Sequence, residues 1–141
     1  MLPEPLDPST ILIVTGAHLE AEVHHRPLAY FLRGRLLESL GVDAPATSVI
    51  VCSDLWYMNH SDLRRHATIS LGAPRHSAAA AYLAARLPSV LAVDGVYVVQ
   101  MDLDADPPLA SCWGDDAEST ATAVQAFADR LLDPFLNAAV A

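Results

Sequence analysis

Short apolar runs alternate along this chain with segments whose apolar residues recur every three or four positions. Ile11–Val14, Ser48–Cys52 and Thr68–Leu71 are rich in β-branched and small residues and carry no charge. They end at Thr15-Gly16, Ser53-Asp54 and Gly72-Ala73-Pro74. Runs of this length and make-up predict strands buried on both faces.

Between the first two runs, Leu28, Phe31, Leu32, Leu36 and Leu40 form one helical stripe, with Pro27 at its start and Gly41 at its end. Proline suits a first helical turn and glycine a helix stop. His18–Arg26 reads as either an extra turn of helix or a loop. Leu55–His60 is aromatic and without a clear period, and Ser61 is placed to open a short helix through Arg65.

From Arg75 the sequence turns strongly helix-favouring, His-Ser-Ala-Ala-Ala-Ala-Tyr-Leu-Ala-Ala, until Pro88 stops it. Val90–Val93 and Val96–Met101 flank Asp94-Gly95, the strongest hairpin signal in the chain. A last strand, Leu109–Trp113, ends at Gly114, and Asp115 with Glu118 has the spacing of an N-cap and its reciprocal acid. Val124, Phe127, Leu131 and Phe135 then share a helical face, which Pro134 should kink or restart.

Buried strands alternating with amphipathic helices predict an α/β fold. The expectation is a single three-layer domain, with a mainly parallel but mixed sheet of about five or six strands and helices on both faces. Its general type would be Rossmann-like or flavodoxin-like, with strand order left open.

Composition sharpens this picture. The 141 residues are 52 % hydrophobic and 18 % charged, enough for one core and too few for two domains. Residues 1–141 are therefore expected to form one unit, with 1–9 a proline-rich lead-in. That lead-in has neither a basic start nor a continuous apolar stretch, unlike a secretory signal. No apolar run approaches the roughly 18 residues of a membrane span. Cys52 and Cys112 stand alone in strand-like stretches, so buried thiols and a cytoplasmic location are expected.

Charge removes several functions. All eight basic residues are arginine, which excludes mechanisms that need a lysine: a P-loop, a Schiff base, a kinase-type phosphate clamp. The net charge is −9, and the only tight basic pairs are Arg33/Arg35 and Arg64/Arg65. Neither nucleic acid nor an acidic membrane surface is an expected partner.

In open α/β sheets, ligands bind beyond the carboxyl ends of the strands. The four turns there carry much of the polar variety of the chain: Thr15, Gly16, His18 and Glu20; Ser53, Asp54, Trp56, Tyr57 and Asn59; Gly72, Arg75, His76 and Ser77; Trp113, Gly114, Asp115 and Asp116. Gly72-Ala-Pro-Arg-His-Ser77 is the sharpest feature. Glycine permits close approach and Arg75 could clamp an anion, against the plainer reading of a tight turn capped by Ser77.

Asp54 could serve as a base or hydroxyl acceptor beside Trp56 and Tyr57, or simply cap the next turn. Glu20 and Glu22 could supply a carboxylate near the first strand, or, on a helix, form i,i+4 pairs with His24 and Arg26. The expected ligand-binding set is Gly16, Asp54, Asn59, Gly72, Arg75, His76, Ser77 and Asp115, with Asp54, His76 and Glu20 as catalytic candidates.

Other chemistries lack support in the sequence. The six histidines, His18, His24, His25, His60, His66 and His76, show no metal-ligand spacing, so no metal and no cofactor are expected. Asp102, Asp104 and Asp106 mimic the start of a calcium loop, but Pro107 and Trp113 occupy the positions that need glycine and glutamate. Gly-x-Ser-x-Gly and Gly-x-Gly-x-x-Gly are both absent.

Three functions stay open. The first is binding of a small anionic metabolite, a nucleotide or phosphosugar, at the strand ends. The second is a homo-oligomer, a dimer above all, without chemistry of its own; the small side chains of Ala78–Ala85 would let a partner helix approach. The third is a small hydrolase or transferase using Asp54 or His76 on a glycosidic or phosphoester bond.

Overall fold

The structure is a computed structural model that describes residues 6–140. Six strands, β1 Ile11–Thr15, β2 Val49–Ser53, β3 Thr68–Leu71, β4 Ser89–Val93, β5 Tyr97–Asp102 and β6 Leu109–Gly114, form one sheet in the order β2-β1-β3-β6-β5-β4. β2, β1, β3 and β6 run parallel, while β5 is antiparallel to both β6 and β4. The α/β expectation is correct, including the mixed sheet and the hairpin about Asp94-Gly95.

Six helices cover the sheet: α1 Leu19–His24, α2 Arg26–Leu40, α3 Asp54–Asn59, α4 Ala78–Ala84, α5 Ala117–Arg130 and α6 Leu132–Ala139. Each parallel strand feeds both faces because successive side chains alternate. Ile11 and Ile13 join Leu32 and Leu36 of α2, Phe127 of α5 and Phe135 of α6 in the larger core. Leu12 and Val14 point the other way, into a smaller core with Tyr57 of α3, Leu63 and Ala79 of α4.

Cys112 belongs to the first core and Cys52 to the second, so the sheet separates two free thiols. Burial pushes the Cys52 thiol up to about 12 and raises that of Cys112 as well.

Four local readings are corrected. The aromatic stretch after β2 is helical, because the Ser53 hydroxyl accepts from the Trp56 N–H and starts α3 at Asp54. The short turn Leu63–Arg65 is a 3-10 helix that Ser61 does not cap with its side chain. The alanine-rich helix begins at Ala78 rather than Arg75, since Pro74–His76 forms a separate 3-10 turn and Ser77 is the cap. The cap of α5 is Asp116, one residue after the expected Asp115; Asp116 and Ser119 each accept a backbone N–H from the other. That reciprocal arrangement holds the Asp116 carboxyl below its usual range.

Pro134 does restart the last helix: α5 ends at Arg130, and α6 takes the proline in its first turn. His18–Arg26 holds the extra helix α1. The aspartate run after β5 closes a turn in which Asp102 Oδ1 accepts from the N–H groups of Asp104 and Ala105.

Candidate functional site

The four parallel strands end on one side of the sheet, at Thr15, Ser53, Leu71 and Gly114. From β1 the chain goes to β2 on one side. From β3 it goes to β4, β5 and β6 on the other. The direction of winding therefore reverses between β1 and β3. In open α/β sheets a reversal of this kind, at the carboxyl ends of adjacent strands, is where ligands commonly bind.

Two glycines let the loops meet there. A Cβ on Gly16 would overlap the His76 carbonyl oxygen and come within 3.1 Å of the Ala21 Cβ. Gly72 has φ +110°, and a Cβ on it would lie 2.7 Å from His25 Nδ1. Larger residues would force the turn after β3 away from the turn after β1.

The closeness brings four side chains together from segments about fifty residues apart in sequence. His76 Nε2 lies 3.2 Å from Glu20 Oε2, with the His76 side chain 14 % exposed and that of Glu20 54 % exposed. The His76 ring is 5.4 Å from that of His18, edge to face, and 5.7 Å from that of His25. His25, the residue before α2, is buried at 2 % exposure.

Two buried polar atoms near this junction have no hydrogen-bond partner, His25 Nδ1 and Thr15 Oγ1. Burial lowers the His25 pKa, and the neighbouring His76 lowers it further, with Glu20 opposing. Burial and the His76 ring beside it both favour the neutral form of His25.

The remaining expected site residues have other occupations. Asp54 is buried, with Oδ1 accepting from the Leu55 N–H at 2.8 Å and Oδ2 from the Ala78 N–H at 2.7 Å. It ties α3 to the start of α4. Ser77 Oγ accepts from the Ala80 N–H. Arg75 reaches across to the last turn, donating to the Asp115 carbonyl and lying 3.9 Å from its carboxylate. Asn59 is exposed at the end of α3.

The expected turns are therefore linked through the segment after β3. Within it the polar contacts concentrate on His76 rather than on Arg75. His18 and His25 lie outside the expected binding set. His25 had a signal in the sequence: it immediately precedes the Arg26-Pro27 helix start, in the segment that follows β1. Glu20 pairs with His76 instead of His24, whereas Glu22 does meet Arg26, at 3.5 Å.

Among the described residues, no group of three or more His, Cys, Asp or Glu side chains is arranged to hold a metal ion. No helix is long and apolar enough to cross a membrane. A shallow open concavity elsewhere, lined by Val93, Gly95, Val96, Trp113 and Asp115, is less richly furnished with titratable groups. No known protein family matches this sequence, and neither does any curated protein.

Proposed function

We propose that this protein binds a small anionic metabolite, such as a nucleotide or phosphosugar, at the carboxyl ends of β1 and β3. The observation that carries the reading is the convergence of His18, His25, His76 and Glu20 where the winding of the sheet reverses. Imidazoles offer N–H donors to phosphate or carboxylate oxygens. The unpartnered Thr15 hydroxyl and His25 nitrogen gain most from a polar ligand, because buried orphan groups cost about 1–3 kcal/mol each. Arg75 is already engaged by Asp115, which leaves the imidazoles rather than its guanidinium to meet the ligand.

The test is thermal unfolding with inorganic phosphate, AMP and glucose 6-phosphate. A ligand at 100 times its Kd adds about 2.7 kcal/mol, a rise of roughly 10 °C for a chain of this size. The rise should vanish in His76→Ala and His25→Ala. No rise with any of the three, or a rise kept in both variants, overturns the reading.

A second reading, compatible with the first, is a homodimer. β4 is an edge strand without a charged residue, and its Val90 and Val93 are exposed. An uncharged edge is a template for pairing, and a strand paired antiparallel with its own copy satisfies two-fold symmetry.

A further inference from the structure

We propose that His25 is the pin of an acid-released latch: neutral, it holds α1 and the turn before it against the turn after β3, and on taking a proton it lets them part. Contacts along the seam between those two segments carry this, independently of any ligand.

The seam is closed at two points. Gly16 lies so near the His76 carbonyl that a Cβ there would overlap its oxygen. The His25 ring packs on Gly72, where a Cβ would come within 2.7 Å of Nδ1 and 3.0 Å of Cε1. Gly72 is itself tied to β6, its N–H donating to the Cys112 carbonyl at 3.0 Å. One wall of the seam is therefore fixed to the sheet. The other is thinly held: α1 has six residues and Ala21 is the only one buried, while Leu19 and Val23 are exposed. A segment with so few buried contacts opens at low free energy without the rest of the fold.

A proton on His25 shifts this balance. The neutral ring leaves one nitrogen a bare lone pair, whereas the protonated ring carries an N–H on both nitrogens. In the closed seam Nδ1 has no hydrogen-bond partner and the residue is 2 % exposed, so the added charge would lie on a buried donor with nothing to accept it. Parting the seam lets water reach it. The titratable groups that act on His25 are His18, Glu20 and His24 from α1 and its approach, and His76 from the turn after β3. Three are imidazoles that repel a further cation as acid charges them. Glu20 opposes, from a half-exposed position 3.2 Å from His76 Nε2. Burial and then His76 lower the His25 pKa, so release belongs to the acid side of neutrality. The same turns bound the proposed anion site, and the latch thereby governs access to it; that consequence rests on the binding reading, whereas the latch does not.

The test is amide hydrogen exchange followed by NMR at pH 7.5 and pH 5.5, corrected for the intrinsic pH dependence of exchange. The latch reporters are the N–H groups of Glu22, His25 and His76, which donate to the carbonyls of His18, Ala21 and Ala73; the Leu12 N–H, bonded to Ala67, reports the sheet. At pH 7.5 the three latch amides should be less protected than Leu12 by at least about tenfold. At pH 5.5 they should lose several-fold more, up to the roughly tenfold that one freed imidazole with a pKa of about 6.5 allows. His25→Gln should abolish that acid loss. Glu20→Gln removes the opposing charge and should deepen it, which keeps the test decisive if His25→Gln fails to fold. Protection equal at the two pH values, protection matching that of Leu12, an acid loss kept in His25→Gln, or a shallower loss in Glu20→Gln each overturns the latch. If the acid loss is present while inorganic phosphate stabilises the protein at neither pH, the latch stands and the anion site falls.

Discussion

At the scale of single residues, His25 gives the clearest pH dependence. Its pKa is lowered in the folded chain, first by burial and then by His76. The unfolded chain therefore binds the proton more readily. The stability associated with the neutral imidazole is fully present above the unfolded value of about 6.5 and is lost as pH falls from there toward the folded pKa. Chemical denaturation between pH 8 and pH 5 should show stability falling through this window, with a smaller fall in His25→Gln. An identical pH slope in the variant would contradict the assignment. Ser70 and Ser111 make a simpler case. They pair across β3 and β6, and both hydroxyls are buried without a partner. Ser70→Ala and Ser111→Ala should each be neutral or stabilising by up to about 1 kcal/mol, because removing an orphan hydroxyl leaves nothing unsatisfied. A loss of 2 kcal/mol in a urea titration would mean the hydroxyls are engaged after all.

Among elements, the turns hold the contacts most sensitive to substitution. Asp54 supports two helix starts with one buried carboxylate, so Asp54→Ala should cost about 2–3 kcal/mol in urea unfolding. A catalytic but structurally idle Asp54 would cost almost nothing. Gly16→Ala sets a side chain against the backbone carbonyl of His76, which cannot rotate away; about 1–3 kcal/mol is the expected loss. The strands and the longer helices were legible because burial on both faces of a sheet, or on one stripe of a helix, writes itself into local apolar spacing. α3 was not legible: its six residues, Asp54-Leu-Trp-Tyr-Met-Asn59, include exposed Leu55 and Trp56 on the side away from the core. Exposed apolar residues blur a helical period over so short a span. Asp115 and Asp116 are equally good caps in sequence, and Ser119 decides between them in favour of Asp116.

For the whole molecule, pairing order is the information that local pattern withholds. Strand order fixes which turns become neighbours, and it unites Gly16 with His76 while leaving Asn59 outside. The sequence puts Gly16, Glu20, Gly72 and His76 in turns at the carboxyl edge of the sheet, and the fold brings those turns together. It could not choose His76 over Arg75, because that choice depends on Asp115 lying within reach of Arg75 forty residues away. Assembly belongs at this scale too. If β4 pairs with its own copy, light scattering should give twice 15.1 kDa, and Val93→Lys should return the mass to that of one chain. A monomeric mass for the unaltered protein at micromolar concentration would remove the dimer reading.

If the reversal of winding between β1 and β3 builds a ligand site from imidazoles, a bound anion must disturb those rings. The most direct test follows the histidine ring signals by NMR while inorganic phosphate is added. Saturable shifts are expected in the signals of His18, His25 and His76, with His60 and His66 unmoved. Saturable binding that leaves those three signals in place, and perturbs Arg75 or the Trp113 indole instead, would contradict that site.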